Sequence, residues 1–284
     1  MFRIHYYPGA YLPGIPLYQW LTRSAITYNE QLILPDPMPN PFHFQCWLSA
    51  FGPTMLVIIV FVLSACTMPQ PIHPGPPKLN PIPNSERSYL ALGDSYTIGE
   101  SVPESERWSV QLVELLRQEG FALNQPDIIA RTGWTTAELA EAIRDSGNGK
   151  KYAMVSLLVG INNQYRGQST EIYRAEFAYL LKTATSFVGG NPEKVFVLSI
   201  PDWGVTPFAA GRDRQKIAEE IDTFNAIARE ECQKLGIPYI NITPLSQQAA
   251  DDLSLVASDQ LHFSGKMYRQ WAEQALPVAR NLLK

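Results

Sequence analysis

Histidine is scarce in this chain. His5, His43, His73 and His262 make up the whole set, and only His262 lies beyond Ser88. Cysteine is scarcer still. Cys46, Cys66 and Cys232 stand far apart with no C-x-x-C pair, so neither a zinc site nor a disulfide framework is suggested. No long basic run occurs, and the formal net charge is -4. Phosphate binding needs clustered Lys and Arg, which argues against nucleic acid as a partner. The G-x-x-x-x-G-K-[ST] loop that cradles nucleotide phosphates is missing as well, and no internal repeat is visible. What the chain does have is length and apolar content. Its 284 residues are 45% hydrophobic, enough to bury the core of one large domain or two small ones.

Residues 1–54 are rich in Pro and aromatics without clear periodicity. The apolar run Met55–Cys66, "MLVIIVFVLSAC", is shorter than the roughly 20 residues a membrane-spanning helix needs. It fits the apolar centre of a signal peptide. It closes on Leu63-Ser64-Ala65-Cys66, which resembles the bacterial lipoprotein signal box, where cleavage precedes a cysteine that then carries lipid. No Lys or Arg lies between Arg23 and Lys78, so the basic start of a signal peptide is lacking; an over-long gene start is one way to read residues 1–54. Seven prolines between Cys66 and Ser88 make a stiff, extended tether. The expected organisation is a targeting region over 1–65, a tether over 66–87 and a folded domain over 88–284. The expected location is a bacterial cell envelope, with the chain anchored to a membrane by lipid on Cys66.

Beyond Ser88, short apolar runs alternate with amphipathic stretches. The runs are Tyr89–Leu92, Ile128–Ala130, Ala153–Val159, Val195–Ile200 and Tyr239–Ile242. Helical stripes follow Trp108, Leu112, Leu115 and Leu116 up to Gly120, then Tyr173, Phe177, Leu180, Leu181 and Ala184. A third stripe follows Ile217, Ile221, Phe224, Ala228 and Leu235 up to Gly236. Met267–Leu283 reads as a last helix with a kink expected at Pro277, and Cys232 as a small core filler on the third stripe. This alternation predicts an α/β fold with a central parallel sheet of about five strands, covered on both faces. Ligands of such sheets sit beyond the carboxyl ends of the strands.

The chemically capable residues all follow strands. Ser95 follows the first, Gly133 and Trp134 the second, Asn162 and Asn163 the third, Trp203 the fourth. Asp259 and His262 lie between the fifth strand and the last helix. A serine hydroxyl is a weak nucleophile until a base takes its proton. Imidazole, with a free pKa of about 6.5, is the usual base, and His262 has no rival in the domain. Asp259, three residues earlier, can accept a proton from one ring nitrogen and fix the tautomer. The backbone N–H groups of Ser95 and Gly133 and the side-chain amide of Asn162 can serve as donors to an oxyanion. Each of these fragments alone is a common loop; their joint order at strand ends carries the reading. Trp134, Trp203 and Asn163 are candidate pocket residues, the two indoles being equally at home as core edges.

The set Gly93-Asp94-Ser95, Gly133, Gly160-x-Asn162 and Asp259-x-x-His262 resembles the four blocks of the SGNH hydrolases, the GDSL-type esterases and lipases, over residues 88–284. The resemblance implies a flavodoxin-like three-layer α/β/α sandwich, a Ser95–His262–Asp259 triad and an oxyanion hole of Ser95, Gly133 and Asn162. It also implies hydrolysis of esters, acetylated sugars and lysophospholipids among them, without cofactor or metal. Three positions depart from the family pattern: Tyr96 stands for Leu, Asn163 for the Asp of G-x-N-D, and Phe263 for a common Pro. The G-x-S-x-G elbow is excluded, since Thr97 stands where its second Gly would be. Three functions are open at this point: a serine esterase for short acyl or acetylated carbohydrate esters, a lysophospholipase or thioesterase with the same residues, and a non-catalytic ligand-binding lipoprotein. The intact Ser, Asn, Asp and His set argues against the last.

Overall fold

The structure, a computed structural model, describes residues 87–284. The expected targeting region, Cys66 and the expected tether up to residue 86 lie outside the described residues.

Five strands build one sheet: β1 (Tyr89–Gly93), β2 (Asp127–Ala130), β3 (Met154–Leu158), β4 (Val195–Leu198) and β5 (Tyr239–Ile240). Their order is β2-β1-β3-β4-β5 and every pairing is parallel. β1, β3 and β4 are buried along their whole length, as strands covered on both faces must be, and for that reason they read as unbroken apolar runs. β2 at one edge is only partly buried.

Eight helices accompany the sheet in the described residues: α1 (Ser95–Ile98), α2 (Trp108–Gln118), α3 (Thr136–Asp145), α4 (Ile161–Tyr165), α5 (Thr170–Phe187), α6 (Arg214–Leu235), α7 (Thr243–Gln247) and α8 (Gly265–Leu282). α2 packs on α8, while α5 packs on both α3 and α6, so two helical layers sandwich the sheet. The predicted stripes are the buried faces. Trp108, Leu112, Leu115 and Leu116 of α2 are buried, and so are Ile217, Ile221, Phe224 and Ala228 of α6. Cys232 is fully buried on α6, and burial pushes its thiol up to about 12, which makes it inert filler. Gly120 and Gly236 take positive φ just past α2 and α6 and end them.

One difference from expectation stands out. Sequence periodicity marks no helix between β2 and β3, yet α3 lies there. It is started by a capping box in which the Thr135 side chain accepts from the Glu138 N–H and the Glu138 side chain accepts from the Thr135 N–H. α8, the last helix expected over 267–283, runs through Pro277 to Leu282. Its buried stripe of Trp271, Ala272, Ala275 and Ala279 packs against α2, and this tertiary burial holds the helix together across the missing N–H.

The topology positions the site. The chain leaves β1 for β2 on one side and returns to β3 on the other, so a crevice opens at the carboxyl edge between the loops after β1 and β3. Gly93 is level with Ala130 of β2 and Leu158 of β3, so the loops after all three strands start from one line.

Candidate active site

The Gly93-Asp94-Ser95 turn is dictated by crowding. A Cβ at position 93 would run into the Thr97 side chain and the Leu158 carbonyl, so only glycine lets the strand end here. Asp94 then caps α1, its Oδ1 accepting from the Tyr96 N–H at 3.1 Å. Ser95 is the first residue of α1 and only 4% exposed. Its N–H is one of those a helix start leaves without an internal acceptor.

After β2, Gly133 takes φ +85°, a left-handed conformation suited to glycine. Arg166 pins this loop by donating from Nη2 to the Gly133 carbonyl at 2.5 Å while pairing through Nη1 with Glu138. After β3, Gly160 at φ +134° lies against the Tyr173 ring with no room for a Cβ, and α4 follows. Asn162 on α4 donates one Nδ2 hydrogen to the Trp134 carbonyl at 2.9 Å, which leaves its second amide hydrogen available.

Asp259 and His262 form a tight pair. His262 Nδ1 and Asp259 Oδ2 are 2.6 Å apart, so the ring donates from Nδ1 and presents Nε2 as the free nitrogen. The other carboxylate oxygen, Oδ1, accepts from the backbone N–H groups of Leu261 and His262, each at 2.9 Å. Ser101 donates its hydroxyl to Oδ2 at 2.6 Å. Partial burial raises the Asp259 carboxyl, but these donors outweigh it and bring the group to about 2, so it is ionised at neutral pH.

One cavity of about 190 Å³ joins these pieces. It is lined by Ser95, Tyr96, Thr132, Gly133, Ile161, Asn162, Tyr165, Trp203, Phe208, Leu261 and His262. Ser95, Gly133, Asn162, Trp203 and His262 thus meet from four different strand ends and the last loop, with Asp259 behind the histidine. Ser95 and His262 share the cavity without a direct hydrogen bond between them. Such pairs often tighten only when substrate binds. Among the described residues no group of side chains is arranged to hold a metal ion.

The sequence match decides the family. Residues 91–270 match the GDSL-like Lipase/Acylhydrolase family. The chain belongs to this family. The acylhydrolase is accordingly an ester hydrolase. Among solved structures it is similar to TesA, at 18% identity and TM-score 0.56 over 69% of this chain and 100% of that one. The lipase/acylhydrolase from Enterococcus faecalis is similar at 20% identity and TM-score 0.55, over 70% and 97%. Axe2, an acetylxylan esterase from Geobacillus stearothermophilus, is similar at 14% identity and TM-score 0.55, over 69% and 95%. These likenesses bear on the fold. No curated protein matches the chain.

Two of the expected pocket residues lie elsewhere in the acylhydrolase. Asn163 is fully buried away from the cavity. Its Oδ1 accepts from the Thr136 N–H at 3.1 Å, and its Nδ2 donates to Thr136 Oγ1 at 2.6 Å and to Gln168 Oε1. It ties α4 to the start of α3. Its departure from Asp has a physical reason, because a carboxylate cannot donate to these two oxygens. Trp134 is also absent from the cavity lining. Its side chain packs against the hydrophobic core, and only its carbonyl serves the site, as the acceptor for Asn162.

The other two departures touch each other. The Tyr96 ring is 5.2 Å from His262 and 5.8 Å from Phe263, and Phe263 packs on Trp271 at 5.5 Å. Tyr96 therefore packs against the His262 ring, with Phe263 and Trp271 packed behind it.

Sequence reasoning missed Ser101, Gln164, Tyr165 and Phe208. Gln164 accepts from Trp203 Nε1 at 2.9 Å and donates to Glu220 at 2.7 Å, which locks the indole as a cavity wall. Ser101 and Gln260 are the non-glycine residues with positive φ among the described residues, both at 65°, and both adjoin Asp259. Backbone strain of this kind clusters at functional sites. No sequence signal marks it.

Proposed function

We propose that the acylhydrolase is a serine esterase of short-chain carboxylic esters, acetylated carbohydrates among them. Ser95 Oγ attacks the ester carbonyl while His262 Nε2 takes the hydroxyl proton. The tetrahedral oxyanion accepts hydrogen bonds from the Ser95 and Gly133 N–H groups and Asn162 Nδ2. His262 then gives its proton to the departing alcohol oxygen, leaving an acyl-serine. Water repeats the sequence, with its proton going to His262 and then back to Ser95 Oγ as the carboxylic acid leaves. Asp259 holds the ring tautomer and the imidazolium throughout.

The observation that carries this reading is the Asp259–His262 pair, 2.6 Å apart, opening on the cavity that Ser95 and Asn162 also line. A small apolar enclosure bounded by Ile161, Trp203 and Leu261 favours a short acyl group over the long chains of the lysophospholipase reading. A series of p-nitrophenyl esters from acetate upward tests both. Short esters should be preferred and Ser95→Ala should abolish turnover. kcat/KM should vanish in His262→Ala. Retained turnover by Ser95→Ala refutes the mechanism, and a maximum at long chains refutes the substrate class.

Lipid anchoring at a bacterial envelope rests on the Leu63–Cys66 box of the sequence. Cys66→Ser should leave the membrane fraction or remain uncleaved; equal membrane association of both forms contradicts it.

A further inference from the structure

The cavity carries no charged lining residue, so it cannot by itself sort substrates by charge. Its mouth can. Tyr165 and Phe208 are lining residues that remain 48% and 38% exposed, and both meet the buried Trp203 ring, at 5.4 and 5.9 Å. Over these three rings lies the guanidinium of Arg212. Its central carbon is 5.4 Å from the Tyr165 centroid, 5.3 Å from Trp203 and 5.0 Å from Phe208. One Nη2 hydrogen reaches the Tyr165 hydroxyl at 3.3 Å. No carboxylate among the described residues pairs with Arg212. The adjacent Asp213 is engaged in capping α6, accepting from the Lys216 N–H at 3.0 Å. Arg166, by contrast, is occupied by Glu138 and the Gly133 carbonyl.

A guanidinium has five N–H donors in a rigid plane. Here the aromatic faces hold that plane by cation–π attraction and shield one side from water, while most donors stay unengaged. That is a pre-organised fork for an oxyanion, placed where the part of an ester left outside the cavity must pass. We propose that Arg212 forms an anion-binding subsite at the mouth. It selects esters whose portion outside the cavity carries a carboxylate or phosphate group. This deepens the esterase reading and rests on it for the catalytic part.

Three esters sharing an acetyl group and a phenyl leaving ring test the proposal: 4-acetoxybenzoate, 4-acetoxyphenyl phosphate and neutral methyl 4-acetoxybenzoate. Comparing each ester between wild type and Arg212→Gln cancels their differing intrinsic reactivity. Loss of a charge-assisted pair should lower kcat/KM for the anionic esters about ten- to a hundredfold, mainly through KM, and the neutral ester by no more than about threefold. Arg212→Lys should fall between, since it keeps the charge and loses the fork. A selective loss on only one of the two anions supports the subsite and identifies its ligand. Equal losses on all three esters, or none, overturn the proposal. If wild type turns over no ester, the esterase reading has failed separately. Binding of 4-acetoxyphenyl phosphate to Ser95→Ala, with and without Arg212→Gln, then decides. Binding that Arg212→Gln weakens keeps the subsite, and binding that is absent or unaffected removes it.

Discussion

Asp94, next to the candidate nucleophile, should make the protein less stable as pH rises toward neutrality. Its side chain has no solvent exposure, and its Oδ2 has no hydrogen-bond partner. Burial raises the carboxyl from 3.8 to about 7, against the pull of the Tyr96 N–H and its own backbone N–H. The sign follows from proton counts. Below the unfolded value both states hold the proton, and nothing is lost. Between the two values the unfolded chain has released it and the folded chain has not, so the stability of the fold falls with pH until the folded group ionises. A shift of about three units at 1.36 kcal/mol each makes the full effect about 4 kcal/mol. About 3 kcal/mol of that should fall between about pH 4.5 and 7.5. Asp94→Asn keeps an oxygen for the Tyr96 N–H and cannot ionise. Its own cost, an unpartnered buried amide worth about 1–3 kcal/mol, does not vary with pH. Urea unfolding of both proteins at the two pH values gives the comparison. The stability difference should move toward the variant by about 3 kcal/mol on going to the higher pH. Parallel pH–stability curves would refute the assignment and show that the buried carboxyl ionises in place or finds a partner.

Two further outcomes follow from the site. Asn162→Ala should keep the fold and lower kcat by about 10²–10³, the range for losing one oxyanion donor; a change confined to KM would place Asn162 in substrate binding instead. Ser101→Ala removes a donor to Asp259 Oδ2, so the Asp259 carboxyl should rise from about 2 toward 3.8. The stability its depressed pKa lends above the ordinary carboxylate range would then survive less far into acid. A carbon-detected NMR titration of the Asp259 carboxyl reads the shift directly, and an unmoved midpoint would show that the Ser101 hydroxyl bond does not form in solution.

The strands, four of the eight α-helices described and the order of the candidate site residues were readable from the chain itself. They depend on local patterns: an unbroken apolar run for a strand covered on both faces, a 3.6-residue stripe for a helix, a glycine where Cβ cannot fit. The lone His262 after Ser88 likewise needed no coordinates. α3 escaped because its buried positions, Thr136, Leu139 and Ile143, make too thin a stripe, and its start rests on the Thr135–Glu138 box. Which side of an element faces the cavity was a tertiary decision. Asn162 and Asn163 are neighbours on α4 and point about 100° apart around it. The seating of α4 against α3 turned the first toward the cavity and the second into the core. The same packing admitted Trp203 to the lining and kept Trp134 out. Tyr96 and Phe263 lie far apart in the sequence and meet only because the fold packs them together beside His262. The Arg212 fork is of this kind too. Nothing in the local sequence distinguishes that arginine, and its chemistry exists because α4 and the segment after β4 bring three rings under it. Local residue pattern sets which elements form; long-range packing sets which side chains meet, and function resides in the meeting.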